Sequence, residues 1–298
     1  MKRSMILILM ALVLALTAIF AGCGAKPAEP TEAPAGEAAP VEIPAVEAEP
    51  AEEVPADDDW AYIQGKGEMI IGYTVYAPMN YTDENGNFVG FDTEFAEAVC
   101  AKLGVKPNFV EINWDTKEVE LAAKNIDCIW NGLTVTEERK QNMAFSDSYI
   151  KNMQVAVIRK ADAATYTDTA SMADANLTAE ISSAGESAIQ ADANLASATY
   201  VSVPKQTDAL LEVKAGTSDV AILDYTLAKA MVGEGTDYAD LQMVEGLELA
   251  VEEYAIGFRL GSSVVEQVNK AIEDLTAEGV MDSIAATYDL TASLLSNQ

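Results

Sequence analysis

Histidine is absent from the 298 residues. That removes the usual general base near neutral pH and the commonest transition-metal ligand. Basic residues are scarce, 18 Lys and Arg against 48 Asp and Glu. The formal charge of −30 repels nucleic-acid phosphates and anionic lipid heads, so nucleic-acid binding is set aside. Cysteine occurs only three times, at Cys23, Cys100 and Cys128. Two body cysteines without histidine make a poor zinc site. Both sit in apolar patterns, where buried free thiols are the expectation. No phosphate-binding glycine motif is present: Gly233-Glu234-Gly235 lacks a third glycine and a preceding strand. No cofactor is expected.

What is present begins with an export signal. Lys2 and Arg3 precede an apolar run from Met5 to Ala21, then Phe20-Ala21-Gly22-Cys23. The run is shorter than the ~20 residues of a membrane span. Small residues directly before a cysteine resemble a bacterial lipoprotein box, which implies that 1–23 is a signal peptide and Cys23 the lipidated first residue. Residues 24–59 hold seven of the ten prolines and eleven acids against Lys26, with no aromatic residue. Such a stretch cannot bury enough apolar area to offset its ordering entropy. It is expected to be an extended acidic tether.

From Trp60 onward, strand-like and helix-like stretches alternate, as in α/β proteins. Strands are expected at 68–72, 105–112, 126–135, 153–159, 220–223 and 254–259. Asp92 stands where a helix N-cap belongs, with Gly104 closing that helix. Helices are also expected at 116–124, 183–193, 207–214 and 226–232. Val264, Val268, Ile272 and Leu275 form the apolar stripe of a last helix closed by Gly279.

Three segments resemble the extracellular solute-binding proteins (family 3, polar amino-acid type) of bacterial ABC transporters. They are Gly90-Phe-Asp-Thr-Glu-Phe95, then Asn131-Gly-Leu-Thr-Val-Thr-Glu-Glu-Arg139 with Phe145-Ser-Asp-Ser-Tyr149, then Asp219-Val-Ala-Ile-Leu-Asp224 with Tyr254-Ala-Ile-Gly-Phe258. The resemblance implies a two-lobed periplasmic-binding-protein fold of type II, with two crossing strands at the hinge. Lobe one would be 60–153 plus 251–298, and lobe two 154–250. The ligand would lie between the lobes. A membrane permease would be the partner and the lipid on Cys23 the anchor to the bilayer, with a single copy of the chain on the extracytoplasmic face.

A free amino acid carries one carboxylate and one ammonium. A guanidinium fork matches the carboxylate with two parallel hydrogen bonds, and by resemblance Arg139 takes this role; its alternative is a surface pair with Glu137 or Glu138. Asp224 ends an apolar strand, where ligands bind in open α/β sheets, and would accept from the ammonium; its alternative is a helix N-cap. The resemblance gives the Gly132 carbonyl to the ammonium and the Thr134 hydroxyl and N–H to the carboxylate. It also gives Ser183 to the carboxylate, although Ser183 and Glu186 have capping-box spacing. Phe91, Tyr76 and Trp130 are candidate aromatic walls, and Phe91 and Trp130 could equally be core.

Thr74 stands near the family's usual acidic position, and no cation beyond Arg139 stands out. The expected cargo is therefore a neutral polar amino acid, such as glutamine or cystine. The alternatives are a dehydratase-like enzyme or a ligand sensor on the same fold. The lack of histidine and of an added catalytic domain argues against the enzyme.

Overall fold

The protein's structure, a computed structural model, describes residues 58–298. The expected signal, Cys23 and residues 24–57 lie outside the described residues. Among the described residues no helix is long and apolar enough to cross a membrane. The tether was expected to reach residue 59, yet the folded body already includes Asp58 and Asp59. Asp58 accepts from the Ala61 N–H and so caps the first helix, while Asp59 is buried against Arg259.

In chain order the first half runs α1 (Asp59–Lys66), β1 (Glu68–Tyr73), a hairpin of β2 (Tyr81–Thr82) and β3 (Phe88–Val89), α2 (Phe91–Leu103), β4 (Lys106–Glu111), α3 (Lys117–Ala122), β5 (Cys128–Ile129) and β6 (Met143–Phe145). The second half runs β7 (Ile150–Arg159), β8 (Asn176–Glu180), α4 (Ala184–Ala191), β9 (Thr199–Val203), α5 (Gln206–Ala215), β10 (Val220–Asp224), α6 (Tyr225–Met231), β11 (Leu241–Met243), β12 (Ala250–Tyr254), β13 (Gly257–Arg259), α7 (Val264–Ala277) and α8 (Val280–Thr287).

Two sheets result. One has the order β4-β1-β5-β13-β6; the other has β11-β7-β10-β8-β9, with β12 also paired to β7. The chain passes between them twice, from β6 to β7 and from β12 to β13. The strands β7 and β12 pair antiparallel from Ile150↔Tyr254 to Gln154↔Ala250. Just beyond them, the Ser146 and Tyr149 N–H groups donate to the Ile256 and Tyr254 carbonyls, which ties the two passages together.

The first lobe's core gathers Phe91, Phe95, Trp130 and Tyr149, all essentially inaccessible to solvent. Phe95 meets Trp130 edge-on at 5.6 Å, and Phe91 stacks on Tyr149 at 6.0 Å. Helix α7 buries Val264, Val268, Ala271, Ile272 and Leu275, as its apolar period requires. Cys100 and Cys128 are both buried free thiols in this core. In the second lobe β10 is buried along its whole length, which suits a run of Val, Ala, Ile and Leu covered on both faces.

Two local departures from the sequence pattern shape the cleft. Helix α2 begins at Phe91, so its cap is Gly90 rather than Asp92. Only glycine fits there: a Cβ at Gly90 would lie 2.1 Å from the Met79 carbonyl oxygen, and φ is 132°. Asp92 thus falls inside the first turn and points into the protein. The strand expected over 126–135 stops at Ile129. Gly132 has φ 57°, a left-handed backbone that breaks the pleat and leaves 130–134 as a loop over the cleft.

Candidate functional site

A narrow hollow, with about 10 Å³ of free space, lies between the two sheets. The first lobe lines it with Tyr76, Trp114, Asn131, Gly132, Thr134 and Arg139; the second lines it with Glu180, Ser183, Ala184, Gln206 and Asp224. The lobes meet across it. Arg139 Nη2 and Lys117 Nζ both donate to the Ser182 carbonyl, at 3.2 and 3.1 Å. Ser182 Oγ donates to Asp115 at 2.7 Å, and Lys205 pairs with Glu111 at 2.6 Å. These bonds span the cleft, so the arrangement is a closed one.

Arg139 is 7 % exposed. Its backbone N–H donates to Thr136 Oγ1 at 3.1 Å, at the start of a 3-10 turn. Its Nη1 donates to the Thr134 carbonyl at 2.8 Å. No ion pair joins it to Glu137 or Glu138; Glu137 pairs with Lys140 instead. Burial depresses the guanidinium's proton affinity, and the Glu252, Glu118 and Asp224 charges oppose this.

Asp224 is the residue before α6 yet makes no side-chain capping bond. Its carboxylate instead accepts from Asn152 Nδ2 and Gln154 Nε2, each at 2.7 Å, and from Gln206 Nε2. Asn152 and Gln154 also donate to Glu252 Oε1, at 2.6 and 2.9 Å. The Thr134 hydroxyl donates to that same oxygen at 3.1 Å. Burial and then the neighbouring Asp224 charge push the Glu252 carboxyl up to about 8.

Ser183 caps α4: its Oγ accepts from the Glu186 N–H at 3.1 Å, while Glu186 accepts from the Ser182 N–H at 2.7 Å. It also stands on the cleft wall. Tyr76 lines the hollow and shares a 2.6 Å hydroxyl–hydroxyl hydrogen bond with Tyr254. Phe91 and Trp130 are not on the wall; they are core residues with no exposure. The loop 130–134 is held from behind. Asp92 accepts from the Gly132 N–H at 2.7 Å and from the Tyr149 hydroxyl at 2.8 Å. Asn131 Oδ1 accepts from Thr74, whose side chain faces this bond rather than the hollow.

Several residues at the cleft escaped the sequence reading. Trp114 supplies an aromatic wall, 5 % exposed. Lys117 is a second buried cation, with Nζ 4.8 Å from the Trp114 ring. Burial pulls its ammonium down to about 8. Glu180 ends β8 as Asp224 ends β10, so the argument that picked out Asp224 applied to it as well. Asn152 and Gln154 sit two apart on β7, a spacing that puts both on one face.

Residues 69–291 match the model of the bacterial extracellular solute-binding proteins, family 3. A probable histidine-binding protein of Neisseria gonorrhoeae is 26 % identical over 231 residues, 75 % of this chain and 83 % of that one. The arginine-binding extracellular protein ArtP of Bacillus subtilis is 26 % identical over 228 residues, 74 % and 85 %. The solved structure of the P235GK mutant of ArgBP from T. maritima superposes with a TM-score of 0.71 at 31 % identity, covering 77 % of this chain and 98 % of that one. A Streptococcus pneumoniae ABC uptake transporter substrate-binding protein with bound histidine gives 0.70 at 30 %, covering 78 % and 96 %. With its two lobes, its doubly crossed hinge and a family match across the folded body, the chain belongs to the bacterial extracellular solute-binding proteins, family 3.

Proposed function

We propose that this protein captures an amino acid by closing its lobes on it and hands the cargo to an ABC permease, anchored to the outer face of the membrane through a lipid on Cys23. The observation that carries the reading is that Arg139 and Asp224 face one hollow from opposite lobes. A guanidinium suits the cargo's carboxylate and a carboxylate its ammonium. A ligand gripped from both sides stabilises the closed form over the open one by its differential affinity. Gly132 and Thr134 from the first lobe and Ser183 from the second line the same hollow and would complete the contacts. Relatives named for histidine and arginine binding support amino acids as the class.

A thermal-shift screen of the amino acids identifies the cargo, because anything that prefers the native state raises the melting point. Arg139→Ala should then lower its affinity on the order of a hundredfold or more, since a buried charged partner is lost, with cooperative melting retained. Unchanged affinity by calorimetry rejects the assignment. Mass spectrometry of the mature amino terminus should find a diacylglyceryl Cys23, and an unmodified terminus removes the anchor.

A further inference from the structure

We infer that Glu180 is the counter-ion for the cargo's side chain, so that this cleft selects an amino acid bearing one extra positive charge. The inference rests on the amino-acid reading above and narrows it. It reverses the expectation of a neutral cargo drawn from Thr74.

Glu180 lines the hollow, is 3 % exposed, and receives no hydrogen bond from any described residue. An ionised carboxylate can accept about four hydrogen bonds, and burying one without donors is costly. The neighbouring carboxylates are treated differently. Asp224 has three amide donors, and Glu252 has two amides and a hydroxyl. Lys117, the nearest candidate partner, gives its Nζ protons to the Trp114 and Ser182 carbonyls at 3.1 Å each and forms no ion pair with Glu180. Glu180 is thus the acid at this wall whose acceptors are open to a ligand. A second buried polar atom is likewise unpartnered at the wall, the Trp114 Nε1–H.

Charge points to the ligand's sign. The groups that face Glu180 are Asp224 and Asp208, which are negative, and Lys117 and Arg139, which are positive. Arg139 and Asp224 match the two ends of a zwitterion and leave no net charge. What is left is Glu180, whose neighbour Lys117 spends its protons on backbone carbonyls. A side chain without hydrogen-bond donors leaves the Glu180 acceptors unfilled. A guanidinium or ammonium on the side chain supplies both the donors and the opposite charge. Tyr76 and Trp114 line the same hollow and suit an aliphatic stem or a flat cation.

Without such a cation a proton takes its place: burial, then the Asp224 charge, push the Glu180 carboxyl up to about 8. A basic cargo therefore displaces a proton near pH 7, and its affinity rises as pH rises from 6 to 8. A neutral cargo has no such dependence through Glu180.

The test is calorimetry on the mature full chain with arginine, lysine and ornithine against citrulline and glutamine, repeated in two buffers of different ionisation enthalpy. A basic amino acid should bind at least about tenfold tighter than its neutral counterpart, with proton release at pH 7. Glu180→Gln should shrink the arginine-to-citrulline ratio by about the same factor and abolish the proton release. Neutral ligands binding as well as basic ones in the wild type overturn the inference and leave the amino-acid reading standing. So does a basic ligand that binds with no proton release, whatever the variant's folding. If no amino acid binds at all, the broader reading falls with this one.

Discussion

Asp92 offers the sharpest test of how the cleft is built. It is fully buried in the first turn of α2, and its two oxygens hold the Gly132 N–H and the Tyr149 hydroxyl. Asp92→Ala leaves two buried donors without partners. Each costs about 1–3 kcal/mol, so the loss is about 4 kcal/mol. For a body of this size 1 kcal/mol moves the melting point by about 2–4 °C, and Asp92→Ala should melt roughly 8–16 °C lower. Asp92→Asn behaves differently. Its Oδ1 still accepts from Gly132, and its Nδ2 donates to the Tyr149 oxygen once that hydroxyl rotates. At pH 5, where the buried carboxyl keeps its proton, the variant should lie within about 1 kcal/mol of the wild type.

The pH dependence has a defined sign. Burial raises the Asp92 carboxyl from 3.8 to about 7, against the pull of its hydrogen bonds. The native state therefore holds this proton at pH values where the unfolded chain has lost it. Its contribution to stability falls as pH rises from about 4 to about 7, and an asparagine does not titrate. The melting point of Asp92→Asn relative to wild type should climb between pH 5 and pH 8 in scanning calorimetry. If Asp92→Ala melts within about 3 °C of wild type, or the asparagine variant falls as far as the alanine one, the reasoning is wrong.

Gly132→Ala should weaken cargo binding by about tenfold or more in calorimetry. The new Cβ would sit 2.7 Å from Tyr76 Cε1 on a backbone with φ 57°, and an L-residue in that conformation costs about 1–2 kcal/mol before the tyrosine moves. The thiols should be inert in the native state. Burial pushes the Cys100 thiol up to about 12 and Cys128 well above its ordinary range, so a chromogenic disulfide reagent should titrate them only as fast as the protein opens. Rapid labelling at pH 8 under native conditions would contradict the burial.

Much of the fold is legible in local pattern. The apolar run of β10, the stripe of α7 and the capping spacing of Ser183 and Glu186 each read correctly, because each depends on neighbours close in the chain. The segment 126–135 misled, since its β-branched and apolar residues suit a strand while Gly132 turns the backbone out of the sheet. Asp92 misled for the opposite reason: it has the chemistry of a cap, but Gly90 holds that position through a close approach to Met79. Aromatic side chains were the least legible. Phe91, Trp130 and Trp114 are alike in composition, and only packing sent the first two to the core and the third to the cleft.

Residue types and their spacing along the chain settled the α/β class, and three short motifs carried the resemblance to the family, because these are matters of periodicity and local sequence; the same local reading picked out Arg139 and Asp224, which line one hollow. Folding decided which acids became neighbours. Glu180, Asp224 and Glu252 come from three strands, and Lys117 reaches Glu180 from the other lobe. Coulombic coupling and desolvation depend on distances through space, and those distances exist only once both lobes are in place.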